Sequence, residues 1–292
     1  MRYQWIQRHR KSYPLVLMCQ TLQVSPSGYY DWSGRTPSPR QQRREKITQA
    51  AARSHFESNR IYGYRKVWED LAEQKMNCCL ETVRRVLRDA GLRSRTKRKF
   101  VVTTDSHHTQ PVAENILARD FTATAPNQKW LTDITYIATQ EGWVYLAAVL
   151  DVFSRKIVGW SLSERIDTAL VQSALQMATT QRAPEPGLLH HSDRGVQYAS
   201  DTYQQTLEDL EMVCSMSRQG DCWDNAMMES FFGSLKTEWV YGKGYATREE
   251  AKQDLFKYIE MFYNRQRRHA SLGYVSPTEF ERRYEVTEDR AA

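Results

Sequence analysis

The sequence predicts an α/β protein in which a mixed sheet, flanked by helices, follows a run of small helical modules. Three observations predict it. Up to about residue 92 the apolar residues recur at helical spacing. From about residue 127 three successive runs alternate apolar and polar residues and are rich in β-branched side chains. After them, helical and extended patterns take turns. A chain of 292 residues is long enough for two domains or three.

The elements follow in order. Residues 15–22 read as a helix, and Gln23-Val24-Ser25-Pro26 turns the chain, closing a small helical module over 1–35. The Gly- and Pro-rich stretch 34–39 is a linker by composition. Residues 41–58 form a polar, helix-favouring stretch. Two short amphipathic helices then share a brief polar connection, with Val67, Trp68 and Leu71 on one face and Val83, Val86 and Leu87 on another, and with Gly91 as a stop. This pair, within 41–92, fits a helix-turn-helix that places Thr82, Arg84, Arg85 and Arg88 towards DNA. It fits a helical hairpin with solvated arginines as well.

Residues 93–126 form a basic linker, opening with Arg93, Arg95, Lys97, Arg98 and Lys99, a stretch suited to tracking phosphates. Strands are expected over 129–138, 143–153 and 156–163, a helix over 167–182 with Asp167 as its N-cap, and a fourth strand from Leu188. A helix over 202–210, a strand over 211–217 and a helix over 225–240 complete a unit spanning 127–240. Residues 241–292 read as a C-terminal helical extension.

Charge is unevenly divided. Residues 1–110 hold 22 Lys and Arg against 9 Asp and Glu, a balance of +13; the remainder hold 19 against 26, a balance of −7. A basic front half joined to an acidic rear half separates a DNA-holding task from a metal-holding one. No apolar run approaches the length of a membrane span, and the polar start is not a signal peptide. Five cysteines, odd in number and without a C-x-x-C pair, point to reduced thiols and a cytoplasmic, nucleoid-associated protein. Adjacent Cys78-Cys79 and His107-His108 lack the spacer of a zinc site, so no structural zinc is expected.

Three acids carry the chemistry: Asp133 in a strand, Asp193 at a strand end and Glu229 in an amphipathic helix, with Lys236 seven positions after the glutamate. Converging carboxylates suit hard divalent cations, which take oxygen ligands and leave room for a phosphate. Acids after strands also serve as turn or cap residues, and spacing by itself does not separate the two roles. Asp221 and Asp224, just before the last helix of the unit, read as caps, and Asp151 as structural. His190 and His191 read as hydrogen-bonded core residues. Met228, Phe231, Phe232, Leu235 and Trp239 mark a core face on the helix that carries Glu229. Lys236 fits a phosphate contact or plain surface charge. Arg265, Arg268 and His269 belong to a basic, aromatic-flanked cluster that fits DNA or the dipole of a helix end.

The surrounding motifs resemble those of a known family. Trp130, Asp133, Ile134, Thr135 and Tyr136 match W-x-x-D-I-T-Y; His191 to Tyr198 match H-S/T-D-R-G-x-Q-Y. Asp224 through Glu229 to Lys236 and Glu238 match D-N-A-x-x-E-S-F-F-x-x-L-K-x-E, and Tyr263 to Phe280 match Y-N-x-x-R-x-H-x-x-L-G-Y-x-S-P-x-x-F. Over about residues 14–280 the chain resembles the downstream-frame transposases of bacterial insertion sequences, which have a retroviral-integrase-like core. The resemblance implies a ribonuclease-H-like core over 127–240 in which the first and fourth strands are neighbours. It further implies a DDE mechanism with two Mg²⁺ (or Mn²⁺) ions held by Asp133, Asp193 and Glu229, acting on double-stranded DNA at terminal inverted repeats and target sites. A homo-oligomer on DNA and an upstream-frame partner or fusion are also implied. A plain nuclease and a DNA-binding regulator with structural acids are the alternatives.

Overall fold

A computed structural model describes residues 1–95, 112–218 and 222–291. Lys97 and Arg98, expected to track phosphates, lie outside the described residues.

Three short helices, α1 (Arg2–His9), α2 (Leu15–Thr21) and α3 (Pro26–Gly34), enclose a small core of Ile6, Met18, Cys19 and Tyr29. Ser25 caps α3 by accepting a hydrogen bond from the Gly28 amide, and Pro26 occupies the first helical turn, where its missing N–H costs nothing. The same device starts α4 (Pro39–Glu57), capped by Ser38. Helices α5 (Tyr64–Glu73) and α6 (Leu80–Asp89) follow, and Gly91 at φ +69° ends the segment as its sequence predicted. Val67, Leu71, Val83, Val86 and Leu87 meet Ile47 and Ala51 of α4. These residues run on into one continuous apolar cluster with the sheet and the later helices.

The sheet has the order β3-β2-β1-β4-β5. Strands β1 (Lys129–Thr139), β2 (Gly142–Asp151) and β3 (Ile157–Ser163) form an antiparallel meander; β4 (Leu189–Ser192) and β5 (Val213–Met216) add in parallel to β1. The parallel additions require crossovers, supplied by α7 (Thr168–Arg182) and α8 (Asp201–Asp209). Asp167 caps α7 through the Leu170 amide. Helix α7 lies against β3 and β2 so closely that Gly159 cannot carry a side chain: a Cβ there would stand 2.3 Å from the Ala174 carbonyl oxygen. Gly159→Ala is expected to cost ~1–3 kcal/mol by overpacking, measured as a lower urea midpoint at unchanged m-value.

On the other face lie α9 (Ala226–Leu235) and α10 (Arg248–Phe256). The sequence predicted one helix over 225–240, but the helix widens after Leu235 into a π-type turn, Lys236–Val240, closed by the Tyr241 amide on the Lys236 carbonyl. A second such turn, Lys257–Tyr263, follows α10. The chain ends in α11 (Pro277–Ala291), whose buried Glu281 binds Lys156, Ser154 and Arg182 behind the sheet.

The basic block after Tyr263 joins the parts. Asn264 both accepts from the Ile157 amide and donates to the Ile157 carbonyl, at 3.0 and 2.9 Å. Arg268 reaches across to α5, with Nε 2.6 Å from Asp70 and both terminal nitrogens on Glu73. Near this seam burial, reinforced by the Arg267 charge, pushes the Lys66 ammonium down from 10.5 to about 8. Between those two values the unfolded chain binds more protons than the folded one, so stability rises with pH there, and the penalty is fully present below pH 8. Lys66→Met should be more stable than wild type at pH 7, by at most on the order of 3 kcal/mol. The variant should lose the rise in unfolding free energy between pH 8 and 10; an unchanged rise would assign that slope to other groups.

Candidate active site

The parallel register of β1 and β4 brings the first two acids together. Leu131 pairs with His191, so Asp133 and Asp193 each follow their strand's pairing by two residues. Asp193 directly follows the last residue of β4, and Asp133 lies within β1 just past the stretch that pairs with β4, so both acids stand where the two parallel strands part. The third acid comes from above. Asn225, at the start of α9, donates from its side chain to the Thr132 carbonyl at 3.1 Å, fastening the helix next to Asp133. Met227, Met228, Phe231, Phe232 and Leu235 are buried against the sheet, leaving Glu229 exposed one turn into the helix.

The electrostatics record the convergence. Burial, with the negative charges of Asp193 and then Glu229, raises the Asp133 carboxyl well above its ordinary range, while the Ile134 amide and the Lys236 charge oppose the rise. Partial desolvation raises Glu229. Lys236 is 7% exposed; burial lowers its ammonium, and attraction to Asp133 works against that. Its Nζ lies 4.5 Å from the centroid of the Tyr136 ring, an orientation set by the π-type turn.

Local contacts hold the carboxylates. One Asp133 oxygen accepts from the Ile134 amide at 2.7 Å, and one Asp193 oxygen from the Gly195 amide at 2.9 Å. A Cβ on Gly195 would stand 3.0 Å from that same Asp193 oxygen, which accounts for glycine in the D-R-G turn. Beneath the site, His191 bonds Ser215 of β5 and Ser217 just after that strand, and His190 bonds the Tyr203 hydroxyl. Burial lowers these imidazoles to about 4 and about 3, so both are neutral at neutral pH and act as core residues, as the sequence predicted. Asp151 is likewise structural, accepting from the Asn127, Phe153 and Ser154 amides.

Several expectations need correction. Asp224 is not a helix cap: fully buried, it receives Arg119, Arg218 and Asn115 and ties the segment before α9 to the chain entering the sheet. Arg268 is not presented to DNA, because its guanidinium is committed to Asp70, Glu73 and the Tyr274 carbonyl. His269 is 7% exposed, and burial together with the Arg267 charge lowers it to about 2. Arg265 is exposed. Arg84 and Arg85 stand on the outer face of α6, each 63% exposed and bound to Glu81, and Arg88 is 72% exposed. Sequence reasoning missed the arginines of α4. Arg40, Arg43 and Arg44 line a cleft of about 410 Å³ with Arg85 and Thr82; the polar face of residues 41–58 was its only sequence signal.

The donor set is made of carboxylate oxygens, which suits Mg²⁺ or Mn²⁺ over softer metals. Among the described residues no three His, Cys, Asp or Glu side chains stand close enough to enclose an ion by themselves. Oxygen ligands from DNA or water would have to complete a shell here.

With this geometry in place, comparisons with known proteins decide the family. An integrase core domain model matches residues 123–222 and a second integrase core domain model 229–284, while an HTH-like domain model matches 42–100. The transposase InsF for insertion sequence IS3A of Escherichia coli is 42% identical over 283 residues, covering 96% of this chain and 98% of that protein. The chain belongs to the IS3-type transposases. An uncharacterized 31 kDa protein of insertion element IS600 from Shigella sonnei is 44% identical over 267 residues, covering 91% and 98%. The catalytic core domain of HTLV-2 integrase, solved with magnesium, is similar at 15% identity and a TM-score of 0.43, covering 55% of this chain and 99% of that one. The transposase thus has a ribonuclease-H-like integrase core behind a helix-turn-helix-like region. Among its described residues no helix is long and apolar enough to cross a membrane.

Proposed function

We propose that Asp133, Asp193 and Glu229 are the catalytic acids with which this transposase cuts the ends of its element and joins them to target DNA. The observation that carries the reading is the register of β1 on β4, which sets Asp133 and Asp193 at equivalent places on neighbouring strands, together with the fastening of the Glu229 helix to the Thr132 carbonyl beside Asp133. The upward shift of the Asp133 carboxyl, to which both other acids contribute, agrees with it. Two Mg²⁺ (or Mn²⁺) ions held by these residues would supply activation of the attacking hydroxyl and stabilisation of the leaving oxygen. Asp133 and Asp193 are oriented by the Ile134 and Gly195 amides, and Glu229 by the anchorage of α9 on Thr132. Lys236 positions the phosphate. No side chain serves as a covalent nucleophile, so cleavage and joining use the same in-line displacement with water and a 3′-hydroxyl as successive attackers.

DNA holding is assigned to residues 41–92, with Arg84, Arg85 and Arg88 joined by the α4 arginines, and to the basic segment with Lys97 and Arg98. Arg265 adds an exposed cation near the core. The unit 127–240 performs the chemistry, and 241–292 supports it. Pairing two element ends requires at least a dimer on DNA, and the upstream-frame protein, free or fused, supplies further end recognition. A cytoplasmic, nucleoid-associated location follows from this task. The test is strand transfer with pre-nicked terminal-repeat DNA in Mg²⁺ or Mn²⁺, with and without the upstream-frame protein. Joined product supports the reading. Cleavage without joining would make the protein a nuclease, and tight binding without any product a regulator.

A further inference from the structure

Strand β1 pairs with β2 along its whole length but with β4 only over three residues, Lys129, Trp130 and Leu131. Among the described residues its second edge therefore has no strand partner over residues 132–138, until Thr139 bridges to Tyr245. Beside this edge runs a cleft of about 350 Å³, walled by Tyr136, Trp143, Tyr241 and Tyr245 and ending at Lys236. Trp143 is 48% exposed and Tyr241 46%, so ring surface faces the solvent from two sides. Tyr136 and Trp143 meet edge to face at 4.9 Å, which fixes the position of one wall. Gly242 and Gly244 form the rim at φ +87° and +62°, with open space where a side chain would be.

We propose that this cleft receives one base of the reacting DNA strand, unstacked from the duplex, while the adjoining phosphate rests on Lys236. The inference rests on the DNA-joining reading and adds a binding site to it. Aromatic faces stack on any base with little regard to sequence, which suits a step every DNA end must pass through. The cleft volume is at the low end of small-ligand pockets, roughly 300–1,000 Å³. On this edge the Thr132 carbonyl and the Ile134 amide are already bonded to Asn225 and Asp133, so the aromatic walls, and not the strand edge, supply the contact with a base. The charge at the end of the cleft also favours a nucleotide over an apolar segment of a second copy. Lys236 is drawn to Asp133 and lies over Tyr136, so a phosphate on its ammonium would sit between the acids and the aromatic walls. Unstacking at this point would free the phosphodiester from the geometry of the duplex, as enzymes that act on an extruded base require.

The experiment is equilibrium binding of the full chain, by fluorescence anisotropy, to pre-nicked terminal-repeat duplexes. Each duplex carries a single abasic nucleotide, stepped through the positions on either side of the nick. The expected result is that Trp143→Ala weakens binding of intact DNA about tenfold, that one abasic position weakens wild type similarly, and that the two together cost no more than either. Trp143→Phe, which keeps a ring, should bind intact DNA nearly as wild type, separating stacking from a folding defect. Losses that multiply at every abasic position would overturn the proposal. So would unchanged binding by Trp143→Ala, and a Trp143-dependent self-association in sedimentation would then assign the cleft to a second copy. Because binding needs no catalysis, these outcomes are read independently of the strand-transfer assay of the acid variants.

Discussion

Asp133→Asn, Asp193→Asn and Glu229→Gln should each abolish strand cleavage and joining while leaving the affinity for terminal-repeat DNA within a few-fold of wild type. Each change removes a negative oxygen from a site whose chemistry depends on concentrated charge. A loss of ~4 kcal/mol of transition-state stabilisation corresponds to roughly a thousandfold in rate, below the detection limit of an ordinary gel assay. The carboxylates also repel one another in the fold, as the raised Asp133 carboxyl records. Asp133→Asn should therefore be more stable than wild type at neutral pH even as it loses activity. That combination separates a functional acid from a structural one, since a structural acid loses stability when neutralised. Paired measurements of strand transfer and urea unfolding on the same preparations decide it. A variant that keeps joining DNA, or that loses activity only because it unfolds, would remove that acid from the site.

Arg267→Ala should destabilise the protein by ~3–5 kcal/mol, the usual cost of leaving one member of a buried pair uncompensated. Its guanidinium binds both Glu238 oxygens at 2.6 Å and reaches Ser234, and the two side chains are only 11% and 13% exposed. Glu238 belongs to the π-type turn that carries Lys236, and Trp239 in that turn stacks on Phe262 at 5.6 Å. Loosening the pair thus loosens the support of Lys236, so strand transfer should fall together with stability. The double variant Arg267→Met with Glu238→Leu removes both charges and should recover much of the lost stability. A double-mutant cycle from urea unfolding measures the coupling. A single-variant effect within about 0.5 kcal/mol would reduce this pair to a surface-like contact.

Much of the site was legible because its motifs are local. The run around Asp133 alternates as a strand must, the turn after Asp193 needs Gly195 for space, and the apolar positions around Glu229 repeat as on a helix. The same reasoning failed where a residue's role depends on what lies opposite. Arg268 and His269 stand in a run of cations, which from the sequence fits DNA or a helix end. The fold sets Asp70 and Glu73 against Arg268 and buries His269 under Tyr263, at 4.9 Å between rings. Asp224 has the position of a cap, yet Arg218 from just before it and Arg119 from a distant segment converge on it. The cleft of Tyr136, Trp143, Tyr241 and Tyr245 draws residues from strands and from a loop about a hundred positions later, so no spacing announces it.

The sequence by itself determined the family and the order of elements and singled out the three acids proposed as catalytic, because motif residues and hydrophobic period are properties of neighbours along the chain. Only the tertiary structure decided how those acids meet and which cations remain available. The register of β1 on β4, the fastening of α9 to the Thr132 carbonyl and the widened turn at Lys236 are all long-range pairings. A cation stays within reach of DNA where it remains exposed, as the arginines of α6 do, and is withdrawn where the fold buries it against opposite charge, which depends on residues as far apart as Asp70 and Arg268.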